Sequence, residues 1–79
     1  MNKEELLSRI TVDANLMVGK PVIRGMRITV EQIMDALAGG LSDKEIIEDY
    51  TELEVNDIKA VLLYANELVK EERVYLINH

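Results

Sequence analysis

Seventy-nine residues, a net charge of −6 and no cysteine bound this chain before any motif is read. The length holds one small domain, and a monomer of this size buries only about 60% of its unfolded surface, so self-association is the default expectation. Disulfides and thiolate metal sites are excluded, and three Tyr with neither Phe nor Trp disfavour the aromatic stacking surface of a single-strand nucleic-acid binder.

The lone histidine is the last residue, His79, so a His general base or a His-rich metal site has nothing to build on. Met1-Asn2-Lys3-Glu4-Glu5 is acidic where a secretory signal needs a basic start, and no apolar run reaches membrane-spanning length. A cytoplasmic protein with no membrane partner is expected. The charge is polarised: residues 1–29 sum to +2 and residues 30–79 to −8. Such a chain binds nucleic acid only locally, or docks on a basic protein.

Along the chain, Asn2 and Glu5 form a capping-box pattern that opens one or two helical turns to about Ser8. Ile10-Thr11-Val12 alternates as a strand does, and Asp13-Ala14-Asn15 reads as a turn. Leu16-Met17-Val18 is a second extended run, closed by Gly19-Lys20-Pro21. Proline removes a donor, so Val22-Ile23-Arg24 is expected as an edge strand at most. Residues 9–28 together read as small strands or a loose meander.

Thr29 with Gln32 then caps a helix whose apolar face is Val30, Ile33, Met34, Leu37 and Ala38. Gly39-Gly40 ends it. Ser42 with Glu45 caps a second, short helix that buries Ile46, Ile47 and Tyr50. After Thr51–Glu54 a third helix is expected from about Val55 to Glu71, with Ile58, Val61, Leu62, Ala65, Leu68 and Val69 facing inward. Leu63 and Tyr64 lie off that stripe, which suggests a second contact surface. Arg73-Val74-Tyr75-Leu76-Ile77 reads as a short strand, pairing with the N-terminal meander or with a partner. The layout is an extended or β segment over 1–29, a three-helix core over 30–71 and a tail over 72–79.

The three helices have the outline of a helix-turn-helix, and equally that of a plain three-helix bundle. As a reading helix the third is poorly charged. Its first residues include Glu54 and Asp57, and only Asn56 and Lys59 suit bases or phosphates. Lys20, Arg24 and Arg27 are the basic alternative, for DNA phosphates or for the acidic pocket of a nuclease; the competing reading pairs Arg24 or Arg27 internally with a helix carboxylate. Glu48, Asp49, Glu52, Glu54 and Asp57 read as a solvated face or a patch for a basic partner rather than a metal site. No nucleophile or acid/base spacing points to an enzyme, and no cofactor, metal or small-molecule substrate is expected.

Several runs carry a resemblance. Gly19-Lys20-Pro21-Val22-Ile23-Arg24-Gly25, Arg27-Ile28-Thr29-Val30, Gly40-Leu41-Ser42, Glu45-Ile46-Ile47, Asp49-Tyr50, Leu53, Asp57-Ile58 and Leu63-Tyr64-Ala65 follow in order. From Ile10 to Ala65 the chain resembles domain-of-unknown-function family 433, related to VapB-like antitoxins. Three positions depart from that pattern: Ala14 stands where Pro is usual, Met26 where Thr is, and Glu54 where Thr or Ser would cap the third helix. The resemblance implies a mostly α, homeodomain-like helix-turn-helix with a small N-terminal β-hairpin. It also implies a homodimer, an antitoxin partnered with a PIN-like ribonuclease toxin from a neighbouring gene, and binding to its own operator DNA. Lys20, Arg24, Arg27, Asn56 and Lys59 are then candidate DNA or toxin contacts; Leu63, Tyr64, Val74, Tyr75, Leu76 and Ile77 are candidate partner or dimer contacts. A stand-alone transcriptional regulator and a plain dimerisation module are the alternatives.

Overall fold

Each capping box in the sequence marks where a helix begins. The computed structural model describes the backbone of residues 1–77 and the side chains of residues 1–71. Asn2 caps α1 (Lys3–Leu7), its side chain accepting from the Glu5 N–H at 2.8 Å. Thr29 caps α2 (Val30–Ala38): its hydroxyl accepts from the Gln32 N–H at 3.0 Å, while Gln32 accepts from the Thr29 N–H at 2.8 Å. Ser42 and Glu45 repeat the exchange at 3.2 and 3.0 Å to open α3 (Asp43–Asp49). A fourth helix, α4, runs from Val55 to Ile77. The result is a mostly helical domain, with α2, α3 and α4 as its main helices and a two-stranded hairpin before them.

α2 ends by a Schellman arrangement. Gly40 takes φ +98°, its N–H reaches the Leu37 carbonyl at 3.0 Å, and the Leu41 N–H reaches back to Ala36 at 3.1 Å. This turn aims α3 across the end of α2. Because Thr29 is only 3% exposed, its cap is sheltered from water. Thr29→Ala is therefore expected to lower stability by about 1–2 kcal/mol, measured by urea unfolding, whereas Lys20→Ala, which breaks an exposed, solvent-screened ion pair with Glu31, should leave it almost unchanged.

The hairpin is more integral than an edge. β1 (Ile10–Thr11) and β2 (Val22–Ile23) pair antiparallel, Ile10 opposite Ile23 and Thr11 opposite Val22. The other side of β2 is also occupied: Val22 bridges Thr29, and the Ile23 N–H donates to the Ile28 carbonyl at 3.0 Å. β2 is thus flanked on both sides, against the edge-strand expectation, and Val22 and Ile23 are fully buried. Pro21 is compatible with this because it sits just before the strand, where only its carbonyl is needed; it accepts from the Val30 N–H at 3.0 Å.

Ile23 joins Ile28, Val30, Ile33, Ile46, Leu53, Ile58 and Val61 in one core, with Met34, Leu37, Ile47, Tyr50 and Tyr64 packed against it. Burying an aliphatic side chain of this size stabilises by about 1.5–3 kcal/mol, so the core draws on hairpin and helices alike.

Three further sequence expectations are corrected. Of Leu16-Met17-Val18 only Leu16 is extended; Met17–Gly19 forms one 3₁₀ turn in which Met17, Val18 and Gly19 all have positive φ. Val18 is 93% exposed, so no packing favours an extended strand there, and the chain must reverse between β1 and β2. The third main helix buries only part of the expected face, Ile58 and Val61, and extends it on the other side. Asp57, Ile58, Ala60 and Val61 are buried and Leu63 and Tyr64 half-buried, whereas Leu62, Leu68 and Val69 are exposed. α1 packs along α4, Arg9 and Arg24 close over Asp57, and the core formed with Ile23, Ile33 and Ile46 takes up Ile58, Val61 and Tyr64. Finally, α4 continues through Ile77 where a strand was expected. Residues 66–73 contain no Gly or Pro, and most are good helix formers, so nothing stops the helix at Glu71. The side chains of Val74, Tyr75, Leu76 and Ile77, expected at an interface, lie outside the described residues.

Candidate functional site

Arg24 and Gly25 occupy the two central positions of a tight turn, both at positive φ (46° and 69°), with the Met26 N–H closing on the Ile23 carbonyl at 2.9 Å. This is the type I′ geometry that suits the twist of an antiparallel hairpin, and Gly25 supplies its second left-handed residue without strain. The Gly25 N–H is held by the Thr11 hydroxyl at 3.0 Å. The turn thereby carries the Arg24 side chain towards the start of α4.

There it meets Asp57, which is completely buried. Arg24 grips this carboxylate with two parallel bonds, Nε to Oδ1 at 3.0 Å and Nη2 to Oδ2 at 2.8 Å. Arg9, from the residue before β1, donates Nη1 to Asp57 Oδ1 at 2.9 Å and to Glu54 Oε1 at 2.8 Å. The fourth bond to Asp57 comes from the Glu54 N–H, 2.9 Å from Oδ2. Arg24 Nη2 also reaches the Glu52 carbonyl at 2.9 Å, and the Arg24 N–H bonds to the Arg9 carbonyl at 2.7 Å. The network ties the hairpin to the α3–α4 connection and to the first turn of α4.

The cap of α4 is consequently inverted. Glu54 does not cap it by side chain; Asp57, three residues on, accepts the Glu54 N–H instead and frees the Glu54 carboxylate for Arg9. Burial pushes the Asp57 carboxyl up, but the hydrogen bonds from Arg24, Glu54 and Arg9 and the charge on Arg24 outweigh it and hold the group below the usual carboxylate range. Fully bonded and ionised, Asp57 is a structural anion with no free lone pair directed at solvent.

The predicted basic site is therefore dispersed. Arg24 is committed to Asp57, and Lys20 pairs with Glu31 across the surface at 2.8 Å, beside a shallow groove of 390 Å³ between the Met17–Val18 turn and α2. Lys3 pairs with Glu67. Among the described residues, Arg27, Lys44 and Lys59 are exposed and have no ion pair; Asn56 is half-buried at the second position of α4. Tyr64 packs against the core, and Leu63 is half-buried. No cluster of metal-ligating residues occurs among the described residues, and no helix of theirs is long and apolar enough to cross a membrane.

Arg9 and Asp57 were missed as a pair by reading the sequence. One signal was present: Asp57 shares a helical stripe with Ala60, Val61 and Tyr64, and an acid on an apolar stripe requires a buried cation. Which cation it takes is not a local property.

No curated protein and no solved structure matches the chain. A family model does, that of a protein of unknown function (DUF433), over residues 10–65. That span contains the hairpin, both arginines, Asp57 and the buried part of α4, and the chain belongs to this family.

Proposed function

We propose that the chain is an antitoxin-like module of a type II toxin–antitoxin pair, which binds a PIN-like ribonuclease encoded beside it through its acidic face. The observation that carries this reading is where the charge ends up. Four of the five basic residues before α2 are neutralised within the domain, while Asp43, Glu48, Asp49 and Glu52 on α3 and its following turn stay exposed and unpaired among the described residues. A surface that has consumed its cations and displays its carboxylates fits a cationic partner, and a ribonuclease must offer a cationic groove to its substrate's phosphates.

Co-expression with the neighbouring nuclease gene tests it. The intact chain is expected to restore growth and co-purify with the nuclease; the triple variant Glu48→Lys, Asp49→Lys, Glu52→Lys is expected to do neither while keeping its melting temperature. Equal rescue by the variant would overturn the acidic-face reading.

Operator binding is the second reading, resting on the free cations Arg27, Lys44 and Lys59. Three phosphate contacts per chain correspond to a salt slope of about −3. A gel shift with promoter DNA is accordingly expected to be weak at physiological salt, and to be lost in Arg27→Ala/Lys59→Ala.

A further inference from the structure

The outer face of α4 is unlike the rest of this acidic molecule. Val55, Leu62 and Val69 recur every seventh residue and are 49%, 48% and 59% exposed, forming one straight apolar ridge. Residues seven apart return to nearly the same side of a helix, so the three line up along its length. Beside the ridge lie Lys59 and Asn66, both exposed, and no carboxylate of the described part of α4 shares this face. Asp57 and Glu67 turn inward to Arg24 and Lys3, and Glu71 sits at a phase well away from the ridge. In a chain of charge −6, this is a face on which two copies can approach without opposing carboxylates.

We infer that the ridge binds a second copy of this chain, α4 against α4, antiparallel and with its two-fold axis at Leu62. The order Val55, Leu62, Val69 is palindromic. An antiparallel pair centred on Leu62 sets Val55 against the partner's Val69 and Leu62 against the partner's Leu62, which is the self-complementarity a two-fold interface requires. The same register lays Lys59 beside the partner's Asn66, a cation against an amide. A parallel pair would instead set each Lys59 alongside the other.

The fold also leaves α4 in need of such cover. Val69, two residues beyond the Lys3–Glu67 ion pair that ties α4 to α1, is 59% exposed. A helical overhang of this length is marginal in water unless one of its faces is packed. This inference does not depend on the toxin reading, and its readouts do not involve a nuclease.

The full chain has no cysteine, so single cysteines report the register cleanly. In sedimentation velocity over a concentration series the chain is expected to reach a dimer. Under mild oxidation Leu62→Cys is expected to cross-link to itself. Val55→Cys alone should not, because its two copies lie about 21 Å apart along the paired helices, but a mixture of Val55→Cys with Val69→Cys should. Leu62→Glu, at a half-exposed position, is expected to weaken association by roughly thirtyfold with unchanged helicity by circular dichroism. A monomer at every concentration, self-cross-linking of Val55→Cys, or a dimer indifferent to Leu62→Glu would each overturn the proposal.

Discussion

Asp57→Ala is expected to cost about 3 kcal/mol, the lower end of what is lost when one partner of a buried ion pair is removed. The lower end applies because the Arg24 side chain is 37% exposed and can rehydrate, whereas Arg9, at 14%, has less access to water. The loss includes four hydrogen bonds to the carboxylate, one of them the cap of the Glu54 N–H. For a domain this small it corresponds to a fall in melting temperature of roughly 12–24 °C. Thermal unfolding followed by circular dichroism measures it, and a fall of only a few degrees would show that the hairpin is held by apolar packing alone.

The same residue dictates a pH dependence. Its carboxyl is held below the usual range when folded, so its contribution is complete above the unfolded value of about pH 4 and is lost as pH falls through the lower folded value. Glu31, paired with Lys20, Glu45, capped by Ser42, and Glu67, paired with Lys3, are shifted the same way and add slope in the same direction. The informative quantity is therefore a difference. The stability gap between the native chain and Asp57→Asn should be flat from about pH 5 to pH 8 and narrow below about pH 4. A gap that widens on acidification would reverse the sign argued here.

Ile23→Ala is expected to lose about 3 kcal/mol, within the range for deleting a fully buried isoleucine side chain beyond Cβ, and as much as Ile33→Ala in α2. The comparison separates two pictures. If residues 1–29 were a loose meander laid on a three-helix bundle, the hairpin substitution would be the milder. Because Ile23 has no exposure and lies in the same core as Ile33, Ile46 and Ile58, equal losses in urea unfolding are expected.

Much of this molecule is local and was readable residue by residue. The starts of α1, α2 and α3 follow from Asn2–Glu5, Thr29–Gln32 and Ser42–Glu45, each a hydrogen-bond exchange between residues three apart. The end of α2 follows from Gly40, which takes a left-handed conformation that a side chain disfavours. The inward positions Val30, Ile33, Ile46, Ile58 and Val61 follow from helical periodicity.

What only the tertiary structure decided is which face of α4 is covered and where the charges go. Leu62 and Val69 fit an inward stripe as well as Asp57, Ala60 and Tyr64 do, and the choice is made by elements distant in sequence, α1, the hairpin and α2, that pack on α4. Arg24 and Asp57 are 33 residues apart and Arg9 and Asp57 48, so no window of sequence contains either pair. An ion pair depends on distance in space and on burial, and both exist only after the hairpin has closed onto the start of α4. Sequence alone therefore marked Arg24 as a cation, and the fold made it the internal counter-ion of Asp57.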